Sequence, residues 1–391
     1  MGFISLRRSK QGVKIKLVEK EVQLCSVEFG KEGDLHKKVY DALFGTLRVA
    51  MEAILGHDNG KEALKNYTSI FEKLLRLRQA CCSGALVAPE RRDIALKVWE
   101  EVKNGNSSGS KKKKMTVEQG LALLNKLKGA FEEDDNRECG ICLLEMEEND
   151  GTILKNCGHI FCKICIQQVL TKSNHKCPYC RASFTANDII DMSDAELAAK
   201  VTEEPAENSI IEFNTSPKIR ALLATITQMK VDEKGVIFSQ FTQHLDLIGK
   251  AMKEAGHTFV RIDGSVPAKR RIQSIQEFNS DKSDSPRFIL CSLLASGTGI
   301  NLTRANYAFM MDVWWNSAIE NQAMDRIHRI SQRREVKIFR FIMKGSIEER
   351  IVQLQETKSM QAKGIQEKLK GDEKRKALLG TLRGLFDIED V

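Results

Sequence analysis

Residues 288–302 read FILCSLLASGTGINL, a short run with high β propensity followed by a loop that carries two spaced glycines. Similar runs, separated by helical patterns, recur along the chain from Thr215 onward. These other runs are GVIFSQ from Gly235, TFVRI ending at Ile262, YAFMMD from Tyr307 and EVKIFRFI from Glu335 to Ile342. Strands that alternate with helices predict an α/β fold with a parallel sheet and flanking helices.

The helical patterns begin at Ser216 and Pro217, which suit the N-cap and the first turn of a helix. Apolar residues follow at helical spacing in three places. The three sets are Ile219, Leu222, Leu223, Ile226 and Met229; Leu245, Ile248 and Met252; and Ile272, Ile275 and Phe278. Each set predicts a helix that packs one apolar face on the sheet.

Residues with unusual chemistry cluster where the predicted strands end. In parallel sheets, ligands bind at the loops beyond the carboxyl ends of the strands. These loops contain Ser239 and Gln240, Asp263-Gly264-Ser265, Ser292 to Leu302 and, at the end of a helix, the run from Gln322 to Gln332. We therefore expect a ligand site at this edge of the sheet.

Cysteines form the second clear pattern. Seven of the eleven cysteines fall between Cys139 and Cys180, and His159 lies in their midst. The eight residues are Cys139, Cys142, Cys157, His159, Cys162, Cys165, Cys177 and Cys180, with 2, 14, 1, 2, 2, 11 and 2 residues between successive members. Because four such ligands close one tetrahedral zinc site, eight predict two structural zinc ions that hold the fold without catalysing.

The composition excludes several classes of protein. Of the 391 residues, 42% are hydrophobic and 29% are charged, which is typical of a globular chain and excludes wholesale disorder. No apolar run is long enough to span a bilayer, so we expect no membrane partner. The net charge of +8 is a mild bias toward polyanions. Residues 325–391 hold sixteen bases and eleven acids, which makes this part the candidate polyanion surface.

The order of the metal ligands resembles a RING finger, in which a histidine stands fourth after three cysteines. In that family the ligand pairs interleave. The resemblance implies that Cys139, Cys142, Cys162 and Cys165 bind one zinc and that Cys157, His159, Cys177 and Cys180 bind the other. Sequential pairing of the ligands is the alternative.

The same resemblance implies a ubiquitin ligase that has no nucleophile of its own. Such a domain binds a ubiquitin-conjugating enzyme and holds its ubiquitin thioester in a reactive pose. Ile141, Val169 and Pro178 stand at the positions that would contact the conjugating enzyme, with packing in a small core as the alternative. Arg181 resembles the linchpin of the family, which bridges ubiquitin and its carrier through several donors on one planar group.

The strand-end loops resemble the later motifs of the second RecA-like lobe of Swi/Snf-type superfamily 2 helicases. The matching runs are RIDGS at 261–265, SGTGINL at 296–302, WWN at 314–316 and DRIHRISQ at 325–332. The resemblance implies that Gly297 and Gly299 let backbone amides approach a phosphate or a DNA strand.

The helicase resemblance also implies roles for single residues in nucleotide and DNA binding. Arg326 and Arg329, three residues apart on one face, would be paired arginine fingers that stabilise charge on a transferring phosphoryl group. Gln322 would contact the nucleotide. The family uses the positions of Ser239, Gln240 and Trp315 near DNA, although Trp315 could equally be a core aromatic.

Only one half of a nucleotide site is present in the sequence. A superfamily 2 ATPase also needs a first lobe with G-x-x-x-x-G-K-[ST] for the phosphates and an acidic pair for magnesium, and the sequence contains neither. We therefore expect ATP with magnesium to bind only in a complete two-lobed protein, of which this chain would be a truncated part.

The resemblance predicts four segments along the chain. They are a helical inter-lobe segment at 1–135 with a flexible lysine-rich loop at about 103–116, a RING at 136–184, an acidic linker at 185–214 and a helicase lobe with C-terminal helices at 215–391. Within the first segment, LRLRQACC at 75–82 resembles the helical stretch that precedes the RING in the family. An ordinary amphipathic helix with exposed Arg76 and Arg78 is the alternative.

A RING between two helicase lobes resembles the helicase-like transcription factor group with its fungal and plant relatives in postreplication repair. This implies a nuclear DNA translocase and ubiquitin ligase in DNA repair or damage tolerance. Its implied partners are DNA, a ubiquitin-charged conjugating enzyme and the sliding clamp. The alternatives are a DNA-binding or scaffolding remnant without a motor, and an ATPase completed by a separate first-lobe chain.

Overall fold

A computed structural model describes residues 17–30, 34–55, 63, 67–87, 89–107, 116–129, 139, 151–155, 160–171, 177, 183–191, 216–264, 266–280, 282, 284–293, 300–363 and 371–388. The strands within these ranges form one sheet of six strands and one of three. They are β1 Lys20–Val27, β2 Gly151–Leu154, β3 Ile160–Cys162, β4 Ile189–Asp191, β5 Gly235–Ser239, β6 Phe259–Ile262, β7 Phe288–Ser292, β8 Tyr307–Met310 and β9 Val336–Met343.

The α-helices of the described ranges cover the larger sheet and complete the smaller domain. They are α1 Leu35–Leu55, α2 Tyr67–Cys82, α3 Pro89–Ser107, α4 Val117–Gly129, α5 Lys163–Leu170, α6 Pro217–Ile226, α7 Thr242–Glu254, α8 Ala268–Asn279, α9 Ser317–Met324, α10 Ile347–Lys363 and α11 Gly371–Phe386. The Ser216 hydroxyl accepts the Ile219 N–H at 3.3 Å and Pro217 opens α6, as the sequence predicts.

The larger sheet is parallel throughout, with the strand order β1-β9-β8-β5-β7-β6. Its central strands β5, β7 and β8 are buried along their whole length, because helices cover both faces. All five β-rich runs of the sequence form strands of this sheet, which confirms the predicted α/β fold. Strands β8 and β7 lie on opposite sides of β5, so three carboxyl ends meet where the strand order changes direction.

Side chains of the strands alternate between two hydrophobic cores, one on each face of the sheet. In β5, Ile237 belongs to the first core, whereas Val236 and Phe238 belong to the second. Helices α1, α2, α3, α4, α6, α7, α10 and α11 contribute to the first core, and α8 and α9 contribute to the second. The two cores fix the central strands, whose carboxyl ends carry the candidate site.

The N-terminal segment, which the sequence predicts as helical, also contains strand β1. Strand β1 pairs in parallel with β9 along its full length, from Lys20 opposite Val336 to Val27 opposite Met343. Helix α1 then packs against the first core, and its Tyr40 hydroxyl accepts the Ile347 N–H at 2.7 Å. The segment before the cysteine cluster is therefore part of the same folded body as the larger sheet.

The smaller domain consists of an antiparallel sheet with the order β3-β2-β4 and of helix α5. Strand β4 extends to Asp191, beyond the RING limit predicted at 184. Helix α3 likewise continues to Ser107, into the loop predicted at about 103–116. No helix in the described part of the chain is long and apolar enough to cross a membrane.

Candidate functional sites

The carboxyl ends of β5 and β8 are tied together by hydrogen bonds to Asp312. The Ser239 hydroxyl donates to Asp312 Oδ2 at 2.5 Å, and the Gln240 backbone N–H donates to the same oxygen at 3.0 Å. Ser239 and Gln240 are 0% and 4% exposed, so both of these sequence-predicted residues lie beneath the surface. Ser239 therefore organises the strand ends, and Gln240 presents its backbone rather than its side chain to Asp312.

The electrostatics of this cluster keep it close to neutral. Burial raises the pKa of Asp312 to about 6, although the Ser239 hydroxyl and the cations Arg78 and Lys218 act in the opposite direction. Burial lowers the pKa of His244 to about 3, which leaves its imidazole uncharged at neutral pH. Cys82, His244 and Asp312 offer metal-ligand atoms within 4.8 Å of one another, but Arg78 already opposes the charge of the carboxylate, and Lys218 is paired with Glu348.

Arg78 of α2 reaches this cluster from the N-terminal segment. Its side chain is fully buried, and that of Arg76 is only 3% exposed, so the alternative of an amphipathic helix with two exposed arginines is wrong. Arg78 Nη2 donates to the Val313 carbonyl at 2.5 Å. Sequence reasoning missed the role of Asp312, although Asp312 ends the YAFMMD run just as Ser239 ends GVIFSQ. It also missed Arg78, because nothing local indicates that a helical arginine is buried.

The loop that carries Trp314 and Trp315 is held by a buried polar network. Glu320 Oε1 accepts a hydrogen bond from the backbone N–H of Trp314 at 2.7 Å, and Glu320 Oε2 accepts one from Arg340 Nη2 at 2.7 Å. Gln355 donates to the Trp314 carbonyl. Trp315 is half-buried against the first core, so it combines core packing with partial exposure at the strand ends. The network fixes where this loop stands relative to β5.

The DRIHRISQ run folds as a series of turns after α9 ends at Met324, rather than as a helical face. Gln332 fastens the turns, since its Nε2 donates to the Thr303 carbonyl at 3.1 Å and to the Ala305 carbonyl at 2.7 Å. His328 Nε2 lies 2.9 Å from the Val18 carbonyl. His328 and Gln332 are thus structural members of the run.

Arg326 and Arg329 lie near each other in these turns. Burial lowers the pKa of Arg326, and the neighbouring charge of Arg329 lowers it further. Arg329 Nη1 makes a long contact of 3.4 Å with the Ile300 carbonyl, whereas Gln322 is exposed on α9. Two adjacent cations at the edge of a parallel sheet suit an anion such as a phosphate. Gly297 and Gly299, which sequence analysis places nearby, lie outside the described residues.

The smaller domain brings together three predicted zinc ligands that are distant in sequence. The sulfur atoms of Cys139, Cys162 and Cys165 all lie within 4.8 Å of one another, and the three residues are buried. Cys162 ends β3 and Cys165 lies in the first turn of α5, which sets their spacing. Three thiols at such separations fit one tetrahedral zinc after small movements, and they favour the interleaved pairing over the sequential one.

The remaining sequence-predicted residues of the smaller domain are only partly described. Cys177 is buried, and Val169 on α5 is half-buried against the small core. Val169 is thus available on one side to a second protein while it packs on the other. The other predicted residues, Cys142, Cys157, His159, Cys180, Ile141, Pro178 and Arg181, lie outside the described residues.

Comparisons with known proteins assign both parts of the chain to recognised domains. Residues 217–331 match the helicase conserved C-terminal domain, and residues 137–181 match the ring finger domain. A ring finger implies bound zinc, which the cysteine cluster fits. The chain thus combines a zinc-binding RING with the second lobe of a helicase.

Curated proteins match this chain along nearly its whole length. The helicase-like transcription factor of Homo sapiens is 32% identical over 98% of this chain, and DNA repair protein RAD5A of Arabidopsis thaliana is 35% identical over 89%. DNA repair protein RAD5 of Saccharomyces cerevisiae is 29% identical over 98%. The chain belongs to the RING-containing Swi/Snf-type helicase family. It spans 37%, 32% and 35% of the length of these three relatives.

A solved structure supports the fold. The C-terminal part of the Fun30 ATPase domain matches with a TM-score of 0.51 at 21% identity, over 95% of this chain and 99% of that structure. At this identity the likeness concerns the fold alone.

Proposed function

We propose that this chain is the C-terminal part of a RING-type ubiquitin ligase fused to a Swi/Snf-type DNA-dependent ATPase. Its proposed setting is the nucleus, in DNA repair or postreplication damage tolerance, because relatives of the chain are named DNA repair proteins. DNA and a ubiquitin-charged conjugating enzyme are the proposed partners. The sliding clamp is proposed as a further partner by family resemblance alone.

The convergence of Cys139 with Cys162 and Cys165 is the observation that carries the ligase half. Two interleaved zinc sites hold two surface loops at a fixed distance and orientation from each other. Docking of a conjugating enzyme requires such a rigid surface. The proposed ligand sets are Cys139, Cys142, Cys162 and Cys165 for one zinc and Cys157, His159, Cys177 and Cys180 for the other. Zinc supplies no chemistry to the transfer itself; Arg181 is the proposed group that touches ubiquitin and its carrier.

The adjacent Arg326 and Arg329 support the ATPase half. Two guanidinium groups beside the strand ends could stabilise charge on a transferring phosphoryl group held mainly by another lobe. Gln322, exposed on α9, is the proposed nucleotide contact, with Gly297 and Gly299 as proposed backbone contacts. ATP with magnesium is proposed to act only when a first lobe is present.

Discharge of ubiquitin from a charged conjugating enzyme tests the ligase proposal. The zinc-loaded chain is expected to accelerate the discharge of ubiquitin from common conjugating enzymes. Arg181→Ala is expected to remove this acceleration without removing binding of the conjugating enzyme. Val169→Ala should weaken binding. Ile164→Ala is the matched control, since Ile164 is 62% exposed on the same helix α5 but is not a proposed contact. Binding without any discharge would support the scaffold alternative instead.

DNA-stimulated ATP hydrolysis tests the motor proposal. The chain alone is expected to be inactive, and activity should appear on addition of a first lobe with the phosphate-binding loop. Arg326→Ala should abolish that activity. Gln322→Ala should raise the KM for ATP more than it lowers kcat, because a nucleotide contact in the ground state contributes mainly to binding. Activity that survives Arg326→Ala would refute the arginine-finger role.

A further inference from the structure

We propose that Arg78 is a positioning residue for the DNA-facing edge, where it sets the orientation of Trp315 and of the loop that contains Gln240. The proposal rests on the proposed function, because it assumes that DNA binds at the ends of β5 and β8. It goes beyond that function by assigning part of the DNA site to the N-terminal segment, which none of the strand-end motifs includes.

Arg78 lies inside a cage of three aromatic rings. Its guanidinium carbon is 5.9 Å from the ring centroid of Phe241, 5.5 Å from that of Trp314 and 5.4 Å from that of Trp315. Phe241 follows β5, whereas the two tryptophans follow β8. One cation from α2 therefore contacts both strand-end loops at once. Desolvated contacts between a guanidinium and aromatic rings are each favourable and depend on the orientation of the planar group.

The surroundings of Arg78 indicate more than a packing role. Its side chain is fully buried, yet its Nε and Nη1 have no hydrogen-bond partner in the described part of the chain. Burial lowers the pKa of Arg78, and Asp312 is the first of the charges that oppose this. An apolar side chain of similar volume would fill the same space without the desolvation penalty of the charge. Besides its bond to the Val313 carbonyl and its charge opposite Asp312, the guanidinium therefore acts on the three rings around it.

Gln240 gives an independent indication that a ligand binds at this loop. Its side chain is 4% exposed, and both its Nε2 and its Oε1 are buried without a hydrogen-bond partner among the described residues. Such a carboxamide gains hydrogen bonds if it turns toward a ligand. The next residue, Phe241, is one wall of the Arg78 cage. Arg78 thus holds the loop in place while Gln240 stays free to meet a DNA strand at its edge.

Arg76 provides a matched control on the same helix. It is 3% exposed, and its Nη1 donates to Gln79 Oε1 at 2.7 Å within α2. Arg76→Lys and Arg78→Lys therefore make the same chemical change at two buried positions, of which only the second contacts the aromatic cage. Lysine keeps the charge that Asp312 balances but lacks the planar group that spans three rings.

The experiment uses the full zinc-loaded chain with the substitution Trp99→Phe, so that Trp314 and Trp315 are the remaining tryptophans. Affinity is measured for a labelled single-stranded oligonucleotide and for its duplex. Because a base stacked on an aromatic side chain contributes about 1–3 kcal/mol, Arg78→Lys is expected to weaken binding about tenfold. Arg76→Lys should leave it unchanged. Acrylamide should quench the tryptophans of Arg78→Lys more strongly than those of Arg76→Lys.

Equal DNA affinity of Arg78→Lys and the parent, or an equal loss in Arg76→Lys, would overturn the positioning role. If the parent chain binds no DNA, the DNA part of the proposed function fails. Acrylamide quenching of the tryptophans then tests by itself whether Arg78 orients Trp315. Stronger quenching in Arg78→Lys supports the cage as the device that orients Trp315, and equal quenching overturns it. Should Arg78→Lys not fold, Phe241→Leu removes one wall of the cage and carries the same expectations.

Discussion

Replacing Lys218 by Met would leave the Glu348 carboxylate buried without its cation. Lys218 Nζ donates to Glu348 Oε1 at 2.6 Å and to the Met311 carbonyl at 2.8 Å, and the two charged side chains are 0% and 1% exposed. Glu348 Oε2 also accepts the Met343 N–H at 2.9 Å. Because loss of one partner of a buried ion pair costs about 3–5 kcal/mol, we expect Lys218→Met to lower the free energy of unfolding by about that amount.

A double-mutant cycle with Glu348→Gln separates the pair from its surroundings. The double variant should be more stable than the sum of the single effects predicts, with a coupling of about 2 kcal/mol or more. Urea unfolding followed by tryptophan fluorescence measures this, since all three tryptophans lie outside the RING match at 137–181. Lys344→Met is the control, because its ion pair with Glu28 is exposed. Additive effects, or a loss no larger than that of Lys344→Met, would refute the reasoning.

Three further outcomes are expected. Since the pKa of His244 is held near 3 in the folded chain, its stabilising contribution is complete above pH 6.5 and is lost as the pH falls toward 3. Unfolding free energies should therefore fall between pH 7 and pH 4.5 by about 2–3 kcal/mol more in the parent than in His244→Gln, and equal losses would contradict this. Cys165→Ser should reduce bound zinc, measured by atomic emission, from two ions per chain to at most one, without changing tryptophan-detected unfolding. Retention of both ions would refute that ligand assignment. Gln332→Ala should lower the free energy of unfolding by about 1–3 kcal/mol in thermal melts, because buried carbonyl groups lose their donor, whereas Arg326→Ala should lower it less. The reverse order would mean that Arg326 is the structural member of the turns.

The central strands could be predicted from the sequence because a doubly covered parallel strand is apolar along its whole length. FILCS at 288–292 and YAFM at 307–310 are such strands. Strand β1 could not be found in this way. Its residues alternate irregularly between exposed and half-buried, since it lies at the edge of the sheet, and its partner β9 is distant in sequence.

The position of the candidate site followed from the same rule, but the roles of its residues did not. Ser239 stands where the parallel strand β5 ends, so its place at this edge of the sheet is a consequence of topology. Whether a side chain there points to solvent or into the body depends on distant elements. Arg78 is buried because aromatic rings from residues 241, 314 and 315 surround it, and no pattern within its own helix indicates those neighbours.

The pairing of β1 with β9 bears on how the protein is made. During synthesis β1 leaves the ribosome before its hydrogen-bonding partner β9, which emerges only after the RING and most of the helicase lobe have been translated. Strand β1 must therefore stay without its partner strand during this time, a state in which chaperones bind exposed segments. The short-range contacts of the RING can form in the meantime, because its sheet pairs strands that lie close in sequence. The larger sheet can thus be completed only when β9 emerges, after the RING has been translated.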